Sequence, residues 1–297
     1  MPSIKNAWTG LETMSDKNKA MERLVIFSDL DGTLLDHDNY SWAAAKPALD
    51  RLKAQNIPVV FNTSKTLSEV LPLQLEMALD HPFITENGMI TTIPANYFQS
   101  SDTDKNTHYF HGRPYKAIRR VLKHFREQYD FRFKGFGDCS HSEIAGLCGL
   151  SLEEASLAAD RKASEPLIWE DSDTALKQFE KNLAKEGLHL TRGGRFYHVS
   201  GKGDKGSAAK KLFKHYLNSF PERKWLSVGL GDSFNDLPML EVVDIPVLVR
   251  SERSTQPVTK HLSDIKYTGY VGPEGWSEAV LEILDAVQKG HEPVCAL

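Results

Sequence analysis

The sequence predicts an α/β protein: a Rossmann-like parallel sheet core with helices on both faces, plus an inserted α+β cap. Three observations carry this expectation. Short apolar runs alternate with segments of helical periodicity at the start of the chain and again at its end. Several of those apolar runs lead straight into polar clusters. The middle of the chain is richer in aromatic and basic residues and breaks the alternation.

The elements follow in order. Residues 24–28 (LVIFS) read as a buried strand. Residues 43–55 carry Ala48, Leu49 and Leu52 on one side of a helix, and 57–62 (IPVVFN) form a second strand. Thr66-Leu67-Ser68-Glu69 is a capping-box pattern; it opens a helix bearing Val70, Leu71, Leu73, Leu75 and Leu79. Pro72 is tolerable in that helix only near the first turn. Residues 83–85 read as a third strand of the parallel sheet. Late in the chain come a helix within 203–220, strands over 225–230 and 244–249, and a helix over 275–287 that stops before Gly290. Between these halves lie an amphipathic helix over 114–129, a strand over 131–133, a helix capped by Ser151 with Glu154, and a helix over 174–186. The expected organisation is an N-terminal extension (1–21), a core of 22–93 and 203–297, and a cap of 94–202.

Composition excludes several classes. A chain of 297 residues is long enough for two domains. Its net charge of −4, with no basic stripe, argues against nucleic acid or an anionic membrane as partner. No apolar run reaches spanning length, and the polar N-terminus does not read as a signal peptide. Cys139, Cys148 and Cys295 are odd in number and lack CxxC spacing, so the expected setting is a reduced cytoplasm without a disulfide framework.

In parallel sheets, ligands sit beyond the carboxyl ends of the strands. Four polar clusters fall at predicted strand ends of the core: Asp29/Asp31, Thr63-Ser64-Lys65, Lys205-Gly206, and residues 231–236 (GDSFND). Asp29, Asp31, Asp232 and Asp236 in one pocket would repel one another and hold protons. A hard divalent cation with oxygen ligands removes that problem, and Mg²⁺ is the usual one beside phosphate. Lys205 adds fixed positive charge, and Thr63 and Ser64 can donate to phosphate oxygens. Together these groups suit phosphoryl transfer. Asp29 would attack phosphorus, and Asp31 would protonate the leaving oxygen and then activate water. Gly32 lets the backbone turn beside the phosphoryl group, and Thr33 is expected to hold Asp31 in place.

DLDGTLL after an apolar strand, a small hydroxylated residue after the next, a lysine opening a helix, and GDSFND about 200 residues later resemble the haloacid dehalogenase superfamily of phosphatases. The insert and the stretch ITENG (residues 84–88) resemble its sugar-phosphatase branch. TSKT (63–66), the segments around Asp138 and Glu165, and RGGRF (192–196) resemble the mannosyl-3-phosphoglycerate phosphatase family. That resemblance implies Mg²⁺-dependent hydrolysis of mannosyl-3-phosphoglycerate to mannosylglycerate, a compatible solute, and phosphate. It implies Asp29 as nucleophile and metal ligand, Asp31 as acid/base and backbone-carbonyl ligand, and Asp232 as metal ligand with Asp236 in support. Thr63, Ser64, Gly32, Asn235 and Lys205 fall around the phosphoryl group, Lys205 being preferred to Lys202 because its Lys-Gly-small pattern opens a helix. In the cap, Arg192 and Arg195 are candidates for a substrate carboxylate. Glu165, Asp138 and Ser140 are candidates for sugar hydroxyls. Asp36-His37-Asp38 and the Arg119-Arg120 pair read as solvated, and Tyr40 and Trp42 as packing. The alternatives are a broader sugar-phosphate or glucosyl-3-phosphoglycerate phosphatase and a non-catalytic phosphometabolite sensor.

Overall fold

Strand β1 (Arg23–Ser28) sends alternate side chains into two different cores. Leu24 and Ile26 join one apolar cluster, and Val25 and Phe27 join another. A strand buried on both faces needs helices on both sides. The computed structural model describes residues 23–98, 104–193, 195–252, 257, 259, 262 and 264–289. The expected extension 1–21, Gly194, Gly290 and Cys295 lie outside the described residues.

The central sheet has five parallel strands in the order β12 (Lys266–Val271), β11 (Ile245–Arg250), β10 (Trp225–Gly231), β1 and β2 (Val59–Phe61). On one face pack α1 (Lys46–Ala54), α2 (Leu67–Glu76) and α9 (Gly272–Gln288), through Leu49, Leu52, Val70, Trp276 and Ile283. On the other pack α7 (Lys205–Ser219) and α8 (Leu237–Leu240), through Leu212, Tyr216 and Met239. Thr66 and Glu69 form the expected reciprocal cap of α2. Pro72 falls well inside α2 instead of in its first turn, where it withholds the N–H that would serve Ser68.

Residues 83–85 depart from expectation. As β3 (Phe83–Thr85) they pair antiparallel with β4 (Ile90–Ile93), which pairs with β5 (Thr107–Phe110). One parallel bridge, Asn62 to Ile84, ties this small sheet to the end of β2. The β4–β5 pairing runs across residue 94, the expected start of the cap.

The cap is an antiparallel sheet in the order β6 (Phe133–Gly135), β7 (Ser164–Trp169), β9 (Tyr197–Ser200), β8 (His189–Arg192). Helices α3 (Tyr115–Tyr129) and α6 (Asp173–Lys185) cover one face. Ile118, Leu122 and Phe125 of α3 meet Phe179 and Leu183 of α6 there. β6 lies two residues later than the strand expected over 131–133. α4 (His141–Cys148) and α5 (Leu152–Ala159) carry a smaller cluster with Phe136. Ser151 and Glu154 cap α5 as expected, and Ser140 is itself the N-cap of the unpredicted α4. Cys139 and Cys148 are free thiols. No helix among the described residues is long and apolar enough to cross a membrane.

One close approach fixes the start of α7 against α8. A Cβ on Gly206 would lie 1.9 Å from the Pro238 carbonyl oxygen, whereas one on Gly146 in α4 would meet nothing within 4 Å. Gly206→Ala is expected to destabilise the protein by about 1–3 kcal/mol through overpacking. Gly146→Ala should be neutral or gain up to about 1 kcal/mol from helix propensity. Urea denaturation of both variants checks this, and matching midpoints would contradict the packing.

Candidate active site

The site begins where β1 stops. Asp29 N–H donates to the Leu230 carbonyl at 2.9 Å, continuing the sheet by one residue, and the residue is 6% exposed. Ser28 Oγ donates to the Asp29 carbonyl and accepts from Trp276 Nε1 at 2.9 Å, so α9 holds this strand end. The chain then folds back on itself: Thr33 and Leu35 donate to the Leu30 carbonyl, and Gly32 to that of Leu35. Gly32 adopts φ +78°, and a Cβ there would come within 3.0 Å of Asp232 Oδ2. Glycine is required on both counts. Thr33 does not hold Asp31 as expected; its hydroxyl donates to Asp232 Oδ1 at 3.2 Å.

Asp29, Asp232 and Asp236 are buried, with carboxylate oxygens all within 4.8 Å of one another. Lys205, fully buried at the start of α7, places Nζ 2.7 Å from Asp29 Oδ1 and 2.6 Å from Asp236 Oδ1. Burial opposes its charge, but Asp236 and Asp29 more than offset this and raise its pKa. Lys202 is exposed. Asp236 Oδ2 accepts from the N–H groups of Asp232 and Ser233, so one oxygen holds the loop while the other takes Lys205. The Asp29 carboxyl is pushed well above the usual range, by burial first and Asp236 next, with Lys205 opposing. Three buried carboxylates sharing one ammonium are short of positive charge. A small cluster of hard oxygen donors is the set that fits Mg²⁺, with Asp29 and Asp232 best placed to hold it.

Asp31 stands apart from this cluster. Its carboxylate pairs with Lys65 Nζ at 3.0 Å, and Lys65 also reaches Glu69 at 3.6 Å. Burial opposes the Lys65 charge, but these carboxylates raise its pKa overall. Thr63 is turned inward: its hydroxyl accepts from Lys65 N–H at 3.1 Å, and its own N–H donates to the Ile84 carbonyl. Ser64 borders the cavity. Asn235 borders it too, donating to Asn87 Oδ1 at 3.0 Å.

A cavity of about 610 Å³ opens from Asp29, Asp31 and Asp232 toward the cap. Strand alternation decides which cap residues reach it. On β9, Tyr197 and Val199 belong to the cap core, so His198 and Ser200 face the other way. Glu165 pairs with Val199 and therefore faces α3. There it is fully buried, accepting from Tyr115, Arg119 and the Gly137 N–H, and it does not border the cavity. This corrects its candidacy for sugar hydroxyls. Arg192 pairs with Tyr197 and shares its face, which removes it from the cavity as well. Asp138 is taken by Arg119 and Arg126, so Arg119 is not simply a solvated cation. Arg195 does border the cavity, held by the carbonyls of Cys148 (2.6 Å) and His37 (3.1 Å).

The sequence profile of the haloacid dehalogenase-like hydrolases matches residues 26–135. Over 275 residues the chain is 41% identical to a glucosyl-3-phosphoglycerate/mannosyl-3-phosphoglycerate phosphatase of Persephonella marina, covering 90% of this chain and 99% of that one. The chain belongs to the haloacid dehalogenase-like phosphatases. This phosphatase is also 39% identical over 265 residues to a Methanococcoides burtonii protein of the same name, covering 88% and 97% of the two chains. Its fold matches a solved Thermoplasma acidophilum protein with a TM-score of 0.61 at 19% identity, covering 90% of this chain and 99% of that one. The Synechocystis sucrose-phosphatase, solved with sucrose and phosphate, gives 0.58 at 16% identity, with the same coverage. The phosphatase is a phosphoric monoester hydrolase.

Several residues bordering the phosphatase's cavity escaped sequence reasoning. Lys65 was visible only as part of a polar cluster. His37, Asp38 and Tyr40 border the cavity although they read as solvated or packing residues. Tyr40 donates to the Cys148 carbonyl at 3.2 Å, and its ring lies 4.8 Å from Lys65 Nζ. Arg161 and His198 come from the cap, and no local motif marks either.

Burial, then Arg161 and Lys205, lower the His198 pKa to about 3. An unfolded histidine titrates near 6.5. The unfolded chain therefore binds an extra proton between these values. The stability contributed by neutral His198 is complete above pH 6.5 and is lost as pH falls toward 3. The expected slope from this residue is about 1.4 kcal/mol per pH unit. Denaturation midpoints of wild type and His198→Gln across this range check it: the variant's curve should be shallower, and parallel curves would contradict the assignment.

Proposed function

We propose that this phosphatase hydrolyses glucosyl- or mannosyl-3-phosphoglycerate to the glycosylglycerate and phosphate, using Mg²⁺ and an aspartyl-phosphate intermediate. The observation that carries the reading is one cavity with a buried carboxylate–lysine cluster at its floor and the Arg195 guanidinium on its wall. The floor suits a phosphoryl group, and the guanidinium suits the carboxylate that distinguishes a phosphoglycerate ester from a simple sugar phosphate. The cavity volume lies within the roughly 300–1,000 Å³ usual for small-molecule sites. The names borne by relatives about 40% identical over most of the chain support both hexoses equally.

In this reading Asp29 attacks phosphorus as the ester P–O bond breaks. Asp31 gives its proton to the departing glycerate oxygen. A water then attacks the aspartyl-phosphate, surrendering a proton to Asp31, and phosphate and free Asp29 result. Lys205 fixes the Asp29 carboxylate for attack. Lys65, 3.0 Å from Asp31, orients the acid/base group. Ser64 and Asn235 line the phosphoryl end, while Thr63 acts through the Lys65 backbone. Asp29, Asp232 and the Asp31 carbonyl would hold Mg²⁺, which would supply positive charge beside the phosphoryl group. Asp236 supports that loop from behind.

Phosphate release is expected from both glycosyl-3-phosphoglycerates in the presence of Mg²⁺ and should vanish with a chelator. Asp29→Asn should lose about four orders of magnitude or more in kcat. Asp31→Asn should lose roughly 100- to 10,000-fold. A panel of phosphorylated sugars and sugar acids decides the substrate: comparable kcat/KM on simple hexose phosphates would discard the phosphoglycerate reading while keeping the chemistry.

A further inference from the structure

His198 is at odds with its surroundings. It is 6% exposed, on the central pair of cap strands, and the described residues offer neither of its ring nitrogens a hydrogen bond. Nδ1 is completely buried and unpartnered. A buried polar group without a partner is normally selected against, because it loses water and gains nothing in return. Its cross-strand neighbours offer no relief: Pro166 has no N–H, and Thr191 donates no hydrogen bond to the ring. Yet His198 borders the cavity, on the face of the cap sheet opposite the apolar cap core.

Its companions there are also unusual. Arg161 is 6% exposed and borders the same cavity. Its Nη2 donates to the Ser64 carbonyl at 3.1 Å and to Ser164 Oγ at 2.8 Å, which ties the cap to the loop that carries Ser64. Arg161 and Lys205 both lie close enough to act on the imidazole, and with burial they keep it neutral. A neutral imidazole beside two cations can donate an N–H to an oxygen of a ligand without adding a third charge. It stands on cap strand β9, whereas Asp29 and Lys205 stand on the core, at the end of β1 and the start of α7.

We propose that His198 is a specificity-determining residue, hydrogen-bonding through its imidazole to a substrate oxygen beyond the phosphoryl group. This deepens the function proposed above and rests on it. The oxygen belongs either to the glycerate carboxylate or to a hexose hydroxyl. Among the described residues the ring has no hydrogen-bond partner, and a substrate oxygen would supply one.

Three esters separate the terms: p-nitrophenyl phosphate, which has neither group; 3-phosphoglycerate, which has the carboxylate alone; and glucosyl-3-phosphoglycerate, which has both. In His198→Ala, kcat/KM for the glycosyl ester should fall roughly 10- to 100-fold, mainly through KM. Turnover of p-nitrophenyl phosphate should stay within about twofold, since a merely structural role would lower all three together. A parallel loss on 3-phosphoglycerate assigns the bond to the carboxylate, and a loss confined to the glycosyl ester assigns it to the hexose. His198→Gln, which keeps a donor and an acceptor, should recover part of the loss, and it carries the same comparison if the alanine variant folds poorly. Equal losses on all three esters, or none on any, would overturn the inference. Wild type failing to prefer the glycosyl ester would overturn the substrate reading instead. His198 would then be judged by the same ratio between p-nitrophenyl phosphate and the best ester found.

Discussion

A single buried ammonium organises the protein. Lys205 Nζ lies between Asp29 and Asp236 with no exposure to solvent, in a cluster where a third carboxylate, Asp232, stands within reach. Charges removed from water survive only when paired and hydrogen-bonded. Each partner is therefore fastened from behind. Asp29 is held by the end of β1 and by Trp276 through Ser28. Asp236 is clasped by the N–H groups of its own loop. Lys205 is set by Asn62, which donates to its carbonyl at 2.9 Å, and by the tight seating of Gly206 on Pro238. The sheet, α7 and α9 converge on this point, so the site inherits the rigidity of the core.

The cap meets that rigid floor through a short strained segment. Glu86, Asn87 and Gly88 all have positive φ, an arrangement that costs of order 1 kcal/mol for each non-glycine residue. The strain has visible compensation. Buried Glu86 accepts from the N–H groups of Lys162 and Ala163 and from Ser164 Oγ, gripping the strand that leads into the cap sheet. Its neighbour Asn87 accepts from Asn235 in the Asp232–Asp236 loop. Two adjacent side chains thus point in opposite directions, one holding the cap and the other the carboxylate cluster. Arg161 reinforces the link by reaching from the cap to the Ser64 carbonyl. Cap placement and site geometry are thus mechanically joined.

Within the cap, the two-residue period of a strand does the sorting. His198 and Glu165 are both buried polar residues on the central strands β9 and β7. One is saturated by Tyr115, Arg119 and Gly137 and serves the sheet's packing against α3. The other is unsatisfied and borders the cavity. The difference is a shift of one position relative to Val199.

The parallel core, the helical caps at Thr66 and Ser151 and the polar clusters that bring Asp29, Lys205 and Asp232 together were all legible in the linear sequence. Each depends on residues close together in the chain: an apolar run ending in DxD, a capping box, a lysine opening a helix. Local spacing determines local geometry, so the end of β1 and its two aspartates are marked within a few residues of sequence. The cap was not legible in this way. Glu165, Arg192 and Asp138 looked like ligand-binding groups because a substrate carboxylate calls for a planar cation and sugar hydroxyls for acidic acceptors. The sequence does not say which face of an antiparallel strand turns inward, since that depends on register against strands more than 30 residues away. Nor does it say that residues 83–85 leave the parallel sheet, or that Arg161 reaches back to Ser64. Those outcomes were decided by tertiary pairing and by the competition among buried charges for partners, which the chain resolves only when it closes on itself.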